Sequence, residues 1–297
     1  MCLMMRIAAR QAGRFALGLL GALLLAAAVS AAALPHESGL APFFAAMASR
    51  LLSFLHLDFG RSAISGLAAI DELGGRLPST LALVLAGSLV AFGAGIPLGL
   101  LFGAGPVRRA AAPLMQVVAA APVFCASLAL AYGAAHLLHW SVTVNAHAAE
   151  AAPIFSGQAQ MLRIAALPVL TVGLAGVAAV QRALRRAASQ SAGEPFHTGL
   201  RRMGLSALEI ERVYGAPQIF AGLLGSAGEI MLALLSAAVV AEWVFHRPGA
   251  ADLFVRSVAL EDWNMAALIL FVFAALTFLA DAIGRIGAHA LAHEDET

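Results

Sequence analysis

Lysine is absent from this sequence of 297 residues, and all 18 basic positions are arginine. The absence excludes a self-contained P-loop, whose motif ends in Gly-Lys-[Ser/Thr], and any lysine Schiff base. Charge of either sign is scarce, at 12% of residues against about 25% in a soluble domain. The net charge is +1, and no basic patch with interleaved aromatics appears, which argues against nucleic acid as a partner. Cysteine is limited to Cys2 and Cys125, which form neither a disulfide framework nor a metal-ligand spacing. What fills the sequence is apolar: 61% of residues, with a mean hydropathy of +0.87. So little charge cannot cover a water-facing surface. The composition is that of an all-α polytopic membrane protein.

A helix needs about 20 mostly apolar residues to cross a ~30 Å hydrocarbon core. Six segments meet this: 14–34, 78–104, 113–138, 164–185, 217–245 and 264–286. The second contains Gly93, Gly95 and Pro97, and the third Pro122 and Cys125; such breakers are tolerated where neighbouring helices re-satisfy the backbone. The first segment also has features of a cleaved leader, with small residues at Ala28-Val29-Ser30-Ala31. Its apolar stretch exceeds the ~7–15 residues of a typical leader, which favours a retained helix. With the N-terminus inside, twelve of the 18 arginines fall on inner segments, so the positive-inside bias places both termini in the cytoplasm. The expected organisation is a tail at 1–13, the first helix at 14–34 and an external segment at 35–77. A five-helix core at 78–286 and a second tail at 287–297 follow. Within the external segment, Pro42 to Leu57 has helical apolar spacing at Phe43, Phe44, Met47, Leu51, Leu52 and Leu55. That pattern fits an interfacial helix or a docking surface for an external protein.

The long inner loop, 187–216, contains Glu194-Pro195 and then an amphipathic stretch from Phe196 to Tyr214. Leu200, Met203, Leu205, Leu208, Ile210 and Val213 alternate with Arg201, Arg202, Glu209, Glu211 and Arg212. Gly204 divides it into two expected short helices, because glycine in a helix interior costs about 1 kcal/mol relative to alanine. One reading is a helix lying on lipid headgroups; the other is an element whose apolar face docks in the groove of a cytoplasmic partner. Its mixed charge argues mildly against plain lipid binding.

Glu229 falls near the middle of the fifth apolar segment. An ionisable group at that depth normally faces a cavity or a partner. It is either a residue of a translocation path or a hydrogen-bonded structural group at a helix interface rich in small residues. His136 and His139, and His289 and His293, are spaced as pairs, and imidazole suits nickel or zinc. With no third ligand evident beyond His147, no metal site is assigned.

Several segments in order resemble the inner-membrane permeases of ABC importers, and more closely the first-subunit (B-type) branch of the dipeptide/oligopeptide/nickel permeases. Leu57-Asp58-Phe59-Gly60-Arg61-Ser62 is similar to the external Gly-Asp-Leu-Gly-Arg-Ser of that family. Arg76-Leu77-Pro78-Ser79-Thr80-Leu81 resembles Arg-Leu-Pro-Ala-Thr-Leu at the start of its second helix, and Leu167-Pro168-Val169-Leu170 the start of its fourth. Arg182 and Arg185 match an Arg-x-x-Arg, and Gly204 precedes Pro217 by the thirteen positions of the cytoplasmic signature. Glu242-Trp243-Val244-Phe245-His246-Arg247-Pro248-Gly249 resembles Glu-Thr-Val-Phe-Ser-Trp-Pro-Gly, and Asp262-Trp263 and Asp281 fall at family positions. The third helix departs from the family, reading Ala120-Ala121-Pro122-Val123-Phe124-Cys125 in place of Ser-Ile-Pro-Ser-Phe-Trp.

The resemblance implies a type I ABC importer permease with a cytoplasmic coupling helix, set in the bacterial inner membrane. Its implied partners are a second permease, two ATPase subunits that use the ATP, and a periplasmic solute-binding protein. This chain would bind no cofactor and would not be an enzyme. The solute would be a peptide or a similar small molecule, or nickel. Glu194, Leu200–Leu205, Glu209, Glu211, Arg212 and Pro217 are then candidates for ATPase coupling, and Glu229, Pro122 and Phe124 for the pathway. A secondary transporter energised through Glu229 is the alternative from another class, although no inverted repeat is evident. An intramembrane enzyme is disfavoured by the lack of His-Glu-x-x-His and Gly-x-Ser-x-Gly.

Overall fold

A computed structural model describes residues 2–32, 40–56, 58–101, 122–137, 154–192, 203–204 and 215–293. The described residues are helical apart from short connections, with one isolated antiparallel bridge between Arg61 and Ala68. In chain order the helices are α1 (Cys2–Ala32), α2 (Leu40–Leu55), α3 (Ala69–Leu101), α4 (Val123–Leu137) and α5 (Ile154–Ala192). They continue as α6 (Ala216–Leu224), α7 (Ala227–Val244), α8 (Ala250–Ala259) and α9 (Trp263–His293). Among the described residues, five helices contain stretches long and apolar enough to span a membrane: Ala9–Ala31, Ala69–Gly99, Ala165–Gln190, Ala227–Val244 and Trp263–Leu291.

Three differences between the apolar segments and the helices bear on the site. The third segment, 113–138, is represented by α4, which has 15 residues; 113–121 lie outside the described residues. The second begins nine residues earlier than the apolar run, because Asp71 and Glu72 in the first turn of α3 complement its positive N-terminal dipole. Pro78 is therefore inside the helix rather than at its start. The fifth segment is not one helix. Gly225 and Ser226 separate α6 from α7, with the Ser226 hydroxyl bonded back to the Gly222 carbonyl at 3.0 Å. Such back-bonding competes with the helical ladder and bends it.

With lipid on the outside as apolar as the helices themselves, packing rather than water exclusion joins spans, and small residues permit it. The α3–α5 interface is built this way. Val172 occupies the space at Gly87, Val90 that at Gly173, Val180 that at Gly95 and Leu184 that at Gly99. Beside them the Gln181 amide donates to the Gly95 carbonyl at 2.6 Å. Ile230, Leu234, Leu235 and Ala238 of α7 close this core from the other side. A second core joins α1, α2 and α9 through Ala26, Phe54, Phe59, Leu268 and Ile269, where Phe54 and Phe59 stack at 4.8 Å. Gly18 of α1 receives Phe278 of α9, and the Ser30 hydroxyl donates to Asn264 Oδ1 at 3.1 Å.

Candidate permease site and its two ends

α7 carries a carboxylate near each end. At one end Glu242 is fully buried. Its Oε1 accepts the Thr80 hydroxyl of α3 at 2.7 Å, and its Oε2 accepts the backbone N–H of Ala251 at 3.0 Å and of Asp252 at 2.9 Å. Thr80 in turn accepts the Ala250 N–H at 2.7 Å. The first N–H groups of a helix lack intrahelical partners. Here, with glycine at the N-cap position of α8, a carboxylate from another helix supplies the cap. Gly249 makes the approach possible, because a Cβ there would collide with the Glu242 carboxylate.

The turn that brings α8 back onto α7 is locally encoded. His246 adopts φ 52°, Arg247 N–H donates to the Glu242 carbonyl at 2.9 Å and His246 N–H to that of Trp243. This is a Schellman termination, followed by Pro248, which cannot continue the helix. α8 ends in the same way: Glu261 has φ 58° and Asp262 N–H donates to the Ser257 carbonyl at 2.7 Å. The Asp262 carboxylate then gathers the connection between α2 and α3. It accepts the Ser62 hydroxyl at 2.5 Å and the Ala63 N–H at 2.9 Å through Oδ2, and the Met265 N–H through Oδ1. Segments far apart in the chain thus meet at one end of the bundle.

At the opposite end of α7, Glu229 lies in the first turn. It forms a two-pronged ion pair with Arg186 of α5, with Arg186 Nη1 to Glu229 Oε1 at 3.0 Å and Arg186 Nη2 bonded to Oε2. Both side chains are more than half exposed. The apolar run suggests a mid-span Glu229 facing a cavity or a partner; the break at Gly225–Ser226 puts it at a helix start, beside a guanidinium. Arg182 and Arg285 also lie within electrostatic reach of Glu229, and Arg285 is held by Asp281 at 2.8 Å.

The remaining candidates divide between these ends. Phe124 of α4 is exposed and faces Trp243, ring centroids 6.3 Å apart, and exposed Pro122 precedes it. Trp243 is fourteen residues from Glu229, about 21 Å along the helix at 1.5 Å per residue. The structure therefore does not gather Phe124 and Glu229 into one site. Pro217 opens α6 and lines an apolar cavity of about 510 Å³ with Phe92, Ile96, Phe220, Leu224 and Ile230. Glu194, Leu200, Arg201, Arg202, Leu205, Glu209, Glu211 and Arg212 lie outside the described residues. Of their loop, Met203 is exposed and Gly204 sits in a turn with φ 88°. His139 and His147 are likewise outside the described residues, and His136 lies against Tyr132, ring centroids 4.3 Å apart.

Residues 76–292 match the family described as "Binding-protein-dependent transport system inner membrane component". The chain belongs to this family. It is an inner-membrane permease of an ABC importer with the type I permease fold, and an integral membrane protein. Among curated proteins it is similar to the "Oligopeptide transport system permease protein OppB" of Mycobacterium bovis and to those of two strains of Mycobacterium tuberculosis. Each is 26% identical over 265 residues, covering 84% of this chain and 80% of the relative. Binding-protein-dependent permeases of this kind work with a partner permease, an ATPase and a solute-binding protein. Every member of the Thr80–Glu242–Gly249 cluster falls within the matched region.

Proposed function

We propose that the chain forms half of the translocation pathway of a peptide importer and is driven through its 196–214 loop by a separate ATPase. The observation that carries the coupling is the seating of α6. This helix follows directly from the loop and is packed tightly on the helices around it. Gly222 abuts Ala187 of α5, and Gly284 of α9 abuts the Leu224 backbone. A push on the loop is therefore passed to α5 and α9 as a rigid-body shift. Both termini are read as cytoplasmic, which places the Glu229 end inside and the Glu242 end outside. A peptide is preferred over nickel because the similar permeases are named for oligopeptides. The family match favours this reading over a self-energised carrier.

The test is purification of the tagged chain from its native membranes in mild detergent. A P-loop ATPase and a second permease should co-purify, and altering Arg201–Gly204 should lose the ATPase while keeping the second permease. Recovery of the chain alone, where a control importer stays assembled, would refute the reading.

A further inference from the structure

The two ends of α7 are fastened differently. Glu242 is fully buried and accepts three hydrogen bonds from α3 and α8, with no room at Gly249 for even a methyl group. Nothing there can exchange with water. Among the described residues Glu229 is hydrogen-bonded to α5 through Arg186, with Arg182 of the same helix within electrostatic reach, and the Glu229 and Arg186 side chains are 63% and 51% exposed. Being exposed, this pair can part without leaving a buried charge behind, which the Glu242 network cannot. The chain is also broken immediately before α7 at Gly225–Ser226, so α7 can turn relative to α6 without bending a continuous helix. Arg285 of α9 stands within electrostatic reach as a second cation for Glu229.

From this asymmetry we propose that α7 acts as a lever: it stays fixed at Glu242 and is released from α5 at the Arg186–Glu229 pair in each transport cycle. The inference rests on the importer reading above and assigns a moving part within it. While closed, the pair holds the inner ends of α5 and α7 together; once open, α7 swings about the Thr80–Glu242–α8 junction. Hinge motions of this type use a few residues at element ends. Arg186 and Glu229 are positioning residues in this scheme and need not touch the solute.

The test uses the full importer complex in liposomes, with its native binding protein carrying its co-purified solute. In a Cys2→Ser, Cys125→Ser background, Arg186→Cys and Glu229→Cys are joined by a short reducible bis-thiosulfonate linker. Linking should lower binding-protein-stimulated ATP hydrolysis about tenfold, because the gating step can no longer occur, and reduction should restore it. Unchanged stimulation in a fully linked complex would overturn the lever. A second pair of variants does not depend on the cysteine protein folding. Arg186→Glu and Glu229→Arg should each raise hydrolysis in the absence of binding protein, and the double swap should return it towards the original level. Single variants indistinguishable from the original protein would equally overturn the proposal. Failure of the importer reading is separately visible, since no ATPase would then assemble with the unaltered chain.

Discussion

Thr80 donates its hydroxyl to the Glu242 carboxylate across 2.7 Å, joining positions 162 residues apart. The same hydroxyl accepts the Ala250 N–H, so one side chain ties α3 to both α7 and α8. Removal of one partner from such a network leaves the others buried and unpaired, which costs more than the bond itself. Glu242→Ala would orphan the Thr80 hydroxyl and the Ala251 and Asp252 N–H groups. Thr80→Val would orphan Ala250 N–H and remove one of the bonds accepted by the carboxylate. At about 1–3 kcal/mol for each stranded group, both variants should melt earlier in detergent, Glu242→Ala by the larger margin. A melting temperature for Glu242→Ala equal to that of the unaltered protein would show that the carboxylate does not cap α8.

The α3–α5 interface yields an ordering within one helix. Gly87 has Val172 where its Cβ would be, whereas Gly93 faces open space. Gly93→Ala should therefore be neutral or stabilising by about 0.5–1 kcal/mol, the propensity gain of replacing helical glycine. Gly87→Ala should be destabilising, because overpacking costs about 1–3 kcal/mol and outweighs that gain. Thermal unfolding of the two variants in the same detergent decides it. The reverse ordering would mean that α3 and α5 do not meet at this face.

Asp262 makes a prediction about local order rather than global stability. Its carboxylate holds Ser62 and Ala63, and the Ser62 hydroxyl also accepts the Ile64 and Ser65 N–H groups. Asp262→Ala should release the connection between α2 and α3 while leaving the helices in place. Hydrogen exchange at residues 62–67 should accelerate by at least about tenfold, with exchange in α7 unchanged. Equal protection in both proteins would assign the order of this loop to its internal bonds, such as Arg61 Nη1 to the Gly66 carbonyl at 3.0 Å.

Long helices were legible because their signal is local: apolar runs of membrane length, read residue by residue. The break between α6 and α7 was not, since Gly225-Ser226 lies inside an unbroken apolar run and tolerance of such residues is usual in spans. The early start of α3 was hidden for the opposite reason, as Asp71, Glu72 and Arg76 interrupt hydropathy while favouring a helix start. Resemblance brought Thr80, Glu242, Gly249 and Asp262 forward as separate motifs. Their meeting depends on tertiary packing, which one sequence does not carry. A usable signal was present in Glu242 itself: a carboxylate at the end of a span, seven residues before a glycine that begins another helix. The apparent depth of Glu229 left it open between a pathway residue and a structural group, and Arg186 counted only among the twelve arginines of the inner segments.

The 187–216 loop supports a prediction that rests on backbone geometry alone. Gly204 adopts φ 88°, and a Cβ there would meet nothing within 4 Å. Substitution is therefore opposed by conformation and not by space. Asparagine tolerates left-handed backbone better than alanine, and a β-branched residue tolerates it least. Transport by the assembled importer should fall in the order glycine, asparagine, alanine, valine, with about 1–2 kcal/mol of strain for a residue carrying a Cβ in this region. ATPase recovery with the tagged chain should follow the same order if the turn presents the loop to its partner. Equal recovery across all four, with transport falling, would move the role of Gly204 from docking to transmission. Equal transport in all four would remove the turn from the mechanism.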